Sequence, residues 1–180
     1  MLVSGSINIF MIKKTNHCIS VDLINKLDLS SISGVGRIPL NEPTGRFFYD
    51  PWKLSKKYEN SIWEDLYKSL PEEDKGEARI INIDSGNCYT AHCDIDDRYH
   101  LNLSGKDSYL IDLEKSQMHL LSKDGCWYEM DAGVIHTAAN FGNRPRYQLV
   151  VRKLLNDPIL HNPIQVKLKI NESLDFEDFH

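Results

Sequence analysis

Three side chains in the second half of the chain have the types and spacing of a metal centre: His92, Asp94 and His136. Two imidazole nitrogens and one carboxylate oxygen suit a divalent transition-metal ion and leave coordination positions open for reacting ligands. His92 and Asp94 are two residues apart, so on an extended segment both point to the same side. His136 stands behind the turn Asp131-Ala132-Gly133. Arg146 follows ten positions later, where its permanently charged planar fork suits the far carboxylate of an acidic cosubstrate. Arg152, on the same strand face, is the rival for that role. The plain alternatives are a surface His/Asp pair, a buried hydrogen-bonded His136 and a surface ion pair for Arg146. The strand and turn context favours the ligand and anchor roles.

Those residues need rigid strands to bring them together, and the second half of the chain reads as strands. Candidates lie at 78–84, 88–94, 99–103, 108–113, 117–121, 127–130, 136–140 and 146–153. Ser85-Gly86, Ser104-Gly105, Asp124-Gly125 and Gly133 punctuate them. Short strands closed at regular intervals imply a sandwich or barrel, and a set of eight fits a jelly roll, the double-stranded β-helix. Alternation places Arg98, His100 and Asn102 on one face and Leu101 and Leu103 on the other. It likewise separates Arg146, Gln148, Val150 and Arg152 from Tyr147, Leu149 and Val151. The polar faces would line a pocket. The apolar faces would pack against N-terminal helices expected within 20–29, capped by Ser20, and 60–70, stopped by Pro71. An edge strand is expected within 1–12. A long connection over 30–51, with one strand at 46–49, could lie over the pocket. One more strand is expected at 165–170, before an acidic tail.

The chain of 180 residues is most simply one domain, with a β core at about 78–153, support from 1–77 and an extension from 154 onward. A net charge of -5 argues against a nucleic-acid backbone as partner. No apolar run reaches the roughly 18 residues a membrane helix needs, and the apolar start reads as a strand rather than a signal peptide. None of the four cysteines, Cys18, Cys88, Cys93 and Cys126, forms a CxxC pair. They could form two disulfides, but free thiols in a reducing cytoplasm are the simpler expectation. That setting also suits a ferrous ion. An oligomer is compatible with all of this.

Gly86, His92, Asp94 and Gly105, followed by Gly125, Gly133, His136 and Asn140, resemble the two halves of the cupin signature. Asp94 stands where cupins usually carry a second histidine, Arg98 where they carry a glutamate, and Asp131 where they carry a proline. These departures resemble the 2-oxoglutarate/Fe(II) dioxygenases, which share the cupin-like double-stranded β-helix. Within them, Arg98-Tyr99-His100-Leu101 and the Arg146 spacing look most like the aspartyl/asparaginyl β-hydroxylase-like group. The resemblance implies Fe(II) held by His92, Asp94 and His136. It also implies 2-oxoglutarate held by Arg146, with Arg98 and His100 touching it. The implied activity is hydroxylation of a C–H bond on an amino-acid side chain, peptidyl or free, or on a related small molecule, with release of succinate and CO2. A metal-binding cupin acting as an isomerase or small-acid binder would share the metal centre without needing Arg146. An inactive β-helix used only for partner binding would need neither.

Overall fold

The computed structural model describes residues 11–32 and 36–155. Eleven strands carry the fold. The first are β1 (Ile12–Cys18), β2 (Arg37–Pro39), β3 (Asn41–Pro43), β4 (Trp52–Leu54) and β5 (Lys75–Ile83). They are followed by β6 (Arg98–Asn102), β7 (Ser108–Asp112), β8 (Gln117–Leu120), β9 (Cys126–Met130), β10 (His136–Asn140) and β11 (Arg146–Lys153). A six-stranded antiparallel sheet runs β1-β9-β6-β11-β5-β2, and a smaller sheet runs β10-β7-β8. Between β5 and β6, isolated bridges Cys88↔Ala139 and His92↔His136 lay a further extended segment along the free edge of β10. From β5 onward the chain therefore crosses between two facing sheets at every step except the β7–β8 hairpin, the topology of a double-stranded β-helix. The segment at 88–94 was expected as a regular strand. It pairs with β10 at those two bridges, and between them the Thr137 hydroxyl donates to the Tyr89 carbonyl at 2.6 Å.

Alternation sorts the faces as the sequence pattern implies. Tyr99, Leu101, Leu103, Trp127, Tyr147, Leu149 and Val151 point outward from the large sheet into one apolar cluster. The helical content is small: α1 (Val21–Asn25) and α2 (Ile62–Lys68) are the two α-helices among the described residues. Ile24 from α1, and Leu66, Tyr67 and Leu70 in and after α2, belong to that same cluster. Trp127 Nε1 donates to Ser69 Oγ at 2.7 Å, tying the end of α2 to the sheet. Ser20 caps α1 by accepting from the Asp22 amide. Both helices are shorter than the sequence pattern suggests, since neither segment alone sustains a long helix.

Several expectations shift. Residues 46–49 form a turn, not a strand; the strands of that connection are β2 and β3, with β4 just after it. Strand β5 begins at Lys75, within residues 72–77, whose run of charged side chains after Pro71 reads in the sequence as a turn. Lys75 is buried because its ammonium reaches the Tyr67 carbonyl at 3.2 Å, the Tyr67 ring at 4.2 Å and Glu72 at 2.8 Å. The expected edge strand at 1–12 lies almost wholly outside the described residues, and β1 starts where it ends. The strand at 165–170 and the acidic tail also lie outside them.

The cysteine expectation is corrected. Cys18 and Cys126 are register partners on β1 and β9, with Cα atoms 4.0 Å apart, and form a disulfide. A cross-strand register is set by pairing across 108 residues of sequence, which no local spacing reveals. Gly125, at φ +78°, makes the adjoining turn: a Cβ there would sit 2.2 Å from the Ile19 carbonyl oxygen. Cys88 and Cys93 remain free, so the cytoplasmic expectation loses the all-thiol argument it rested on. No helix among the described residues is long and apolar enough to cross a membrane.

Two outcomes test this architecture. Alkylation without reductant should label the two free cysteines, Cys88 and Cys93; labelling of all four would contradict the bridge. Leu101→Ala, at a fully buried outward position, should cost about 2–5 kcal/mol in urea unfolding; a loss well under that range would mean the cluster is loosely packed.

Candidate metal centre

His92 and His136 are joined through their backbones. Each amide donates to the other's carbonyl, at 3.0 and 2.8 Å. Residues facing each other in such a pair project their side chains from the same side of the sheet. The two imidazoles therefore meet inside the barrel, with ring centroids 4.6 Å apart. Asp94, two residues beyond His92, keeps the same side, and its amide donates to the Ala132 carbonyl at 2.7 Å. One ligand atom from each of His92, Asp94 and His136 lies within 4.8 Å of the others.

The tautomers are set by neighbouring carbonyls. His92 Nδ1 lies 2.7 Å from the Thr90 oxygen and His136 Nδ1 2.9 Å from the Val134 oxygen. Each Nδ1–H donates there, which leaves both Nε2 lone pairs for an ion. Those Nε2 atoms stand 3.6 and 3.8 Å from Asp94 Oδ2. The other Asp94 oxygen, Oδ1, is held by the Arg98 guanidinium at 2.7 Å. Burial pushes the His136 imidazolium below its ordinary value, so the ring is neutral and competent as a ligand at neutral pH. The set fits a transition-metal ion bound by two imidazole nitrogens and one oxygen of a carboxylate.

A cavity of about 520 Å³ opens over these atoms, walled by Leu110, Met130, Ala138 and Val150 on its apolar side. His100 lines it, with Nδ1 3.1 Å from Gln148 Oε1 and Nε2 without a hydrogen-bond partner among the described residues. Burial pushes His100 down to about 3, helped by the charges of Arg146 and Arg98. Arg146 lies a layer deeper. It is 1% exposed, and all three of its guanidinium nitrogens lack hydrogen-bond partners among the described residues. Burial pushes it down to about 10. Its rival Arg152 is already engaged, with Asp96 at 3.3 Å and Glu77 at 3.6 Å.

The fold thus brings His92, Asp94 and His136 together, sets Arg98 against Asp94 and His100 in the cavity wall, and buries Arg146 behind them. Sequence reasoning missed Asp96, which is buried between Arg98 and Arg152. It also missed Glu77, Arg79 and Arg37. The alternation of charged residues along β5 was the one available signal, and it was masked by the assignment of Glu77 to a turn.

Neither a protein-family profile nor a curated protein sequence matches the chain significantly. Among solved structures, it resembles the viral collagen prolyl hydroxylase of Paramecium bursaria Chlorella virus-1, in complex with 2OG, at TM-score 0.53 and 8% identity. That match covers 84% of this chain and 100% of the other. A Pseudomonas putida prolyl-4-hydroxylase matches at 0.47 and 14%, over 82% and 89%. A cupin domain from Bordetella pertussis matches at 0.43 and 13%, over 67% and 95%. At these identities the likeness to the viral enzyme shows the fold. The narrower resemblance to the aspartyl/asparaginyl β-hydroxylase-like group finds no support in these neighbours.

The depressed His100 gives the metal-free protein a pH signature. The unfolded chain takes up a proton near 6.5 that the native protein refuses until about 3. Stability is therefore present above 6.5 and is lost as pH falls through that window, by at most about 1.4 kcal/mol per pH unit from this group. Urea unfolding across the window should show a shallower loss for His100→Gln than for the wild type. Equal slopes would mean His100 is not buried neutral.

Proposed function

We propose that the protein is a 2-oxoglutarate- and Fe(II)-dependent dioxygenase. In this reading it hydroxylates a C–H bond of an amino-acid side chain, peptidyl or free, or of a related small molecule. The observation that carries the reading is the pairing of a two-histidine, one-carboxylate donor set with a buried arginine that has no hydrogen-bond partner among the described residues. A buried charge without a counter-ion is costly. It is explained if an acidic ligand completes it, and the far carboxylate of 2-oxoglutarate matches a guanidinium fork. The similar viral prolyl hydroxylase was solved with 2OG, which agrees with the reading without deciding it.

In this reading His92 Nε2, His136 Nε2 and Asp94 Oδ2 hold Fe(II), which with 2-oxoglutarate and dioxygen supplies the oxidising power and yields succinate and CO2. The chain's own residues do the rest. Arg98 holds Asp94 Oδ1, so the carboxylate offers one oxygen to the ion. The Thr90 and Val134 carbonyls hold the imidazoles in the ligating tautomer. Arg146 orients the cosubstrate. His100, kept neutral by burial, presents Nε2 beside it without adding charge. Leu110, Met130, Ala138 and Val150 keep bulk water from the reacting C–H bond.

Anaerobic addition of Fe(II) and then 2-oxoglutarate should produce a weak visible charge-transfer absorption, and admission of air should release succinate. Arg146→Ala should weaken 2-oxoglutarate binding by about 2–5 kcal/mol while metal affinity holds. A variant that binds 2-oxoglutarate like the wild type, or a wild type with neither absorption nor succinate, contradicts the proposal. Function that survives Arg146→Ala but not His136→Ala would instead indicate a metal-dependent cupin without the cosubstrate.

A further inference from the structure

The cavity carries more positive charge than the metal and cosubstrate account for. Arg37, on β2, pairs with β5 opposite Ile81, and Arg79 stands two residues before Ile81 on β5. Alternation turns all three side chains to the interior face, and Arg37, Arg79 and Ile81 all line the cavity. Among the described lining residues there are three arginines, Arg37, Arg79 and Arg98, and a single carboxylate, Asp94. Asp94 is already assigned to the ion.

The counter-ions behind the wall do not make up the difference. Glu77 serves Arg37, holds Arg79 at 2.6 Å and lies 3.6 Å from Arg152. Asp96 is divided between Arg98 at 3.5 Å and Arg152 at 3.3 Å. Among the described residues, four guanidinium groups thus share two carboxylates besides the proposed metal ligand. Burial and the neighbouring charge of Arg98 push Arg79 down to about 10, which is the sign of a cation short of compensation. At neutral pH it stays charged. The Arg37 side chain is half exposed, at 55%, and so stands at the mouth, while Arg79 sits further in.

We propose that the substrate carries an anionic group, a carboxylate or a phosphate, and that Arg37 and Arg79 bind it at the mouth of the cavity. The arrangement suits recognition in two respects. A pair of forked donors reads a planar or tetrahedral oxyanion with defined geometry. Holding the anion there also limits which C–H bond of the substrate can reach the metal side. The identification of this anion with a substrate rests on the oxygenase reading above; the anion site itself does not.

The test separates the two. The protein, loaded with Zn(II) and saturating 2-oxoglutarate without oxygen, is titrated calorimetrically with inorganic phosphate, glutarate and the neutral diamide of glutarate. Phosphate or glutarate should bind and the diamide should not. Arg37→Gln, at a half-exposed side chain that should fold normally, and Arg79→Gln should each weaken binding by roughly tenfold or more. Arg79→Lys should recover part of that loss. Glutarate that binds where phosphate does not marks a carboxylate site, and the converse marks a phosphate site. No anion binding to the wild type, equal affinity for the diamide, or unchanged affinity in both glutamine variants overturns the proposal. The metal-free protein is titrated in parallel. Anion binding there through Arg37 and Arg79, in a protein that gives no absorption with Fe(II) and 2-oxoglutarate, would sink the oxygenase reading and leave the anion site standing.

Discussion

The reciprocal backbone hydrogen bonds between His92 and His136 are the constraint on which the rest depends. They lock two segments of the chain edge to edge, and they do so at one residue pair rather than along a regular strand. Because a bonded cross-strand pair projects its side chains to one side, this single contact decides that the imidazoles meet inside the barrel. A slip of one residue in that pairing would turn one imidazole outward and scatter the donor set. The disulfide, the outer apolar cluster and the two short helices all serve to hold the large sheet against which this smaller one is positioned.

Around that contact the interior is divided by depth. The His92 imidazole and the Asp94 carboxylate stand at the open side, while His100, Gln148 and Arg146 are buried. Burial works differently at each level. It lowers the pKa of His136 and of His100, and it leaves Arg146 without a hydrogen-bond partner among the described residues. Arg152 shows the contrast: the same residue type on the same strand face, but within reach of both Asp96 and Glu77.

Much of this was legible in the sequence. The bounds of β10 and β11 follow from alternation and turn residues, as does the common side of His92 and Asp94, because a period of two is a strong local signal. The choice between Arg146 and Arg152 was not legible. It depends on Asp96 and Glu77, which approach from other strands. The Cys18–Cys126 bridge escaped for the same reason, since register between β1 and β9 is a long-range property. The irregular segment at 88–94 read as a strand because its composition is strand-like, although its backbone pairs at only two points. Lys75 read as a turn residue because nothing local announces that Tyr67 and Glu72 will receive its charge.

The central claim is that His92, Asp94 and His136 bind one metal ion together. Pulsed electron paramagnetic resonance on the Mn(II)-loaded protein tests it most directly. Couplings from two imidazole nitrogens are expected in the wild type, reduced to one in His92→Ala and in His136→Ala. An Mn(II) signal without nitrogen couplings, or one unchanged by either substitution, would place the ion elsewhere and contradict the account.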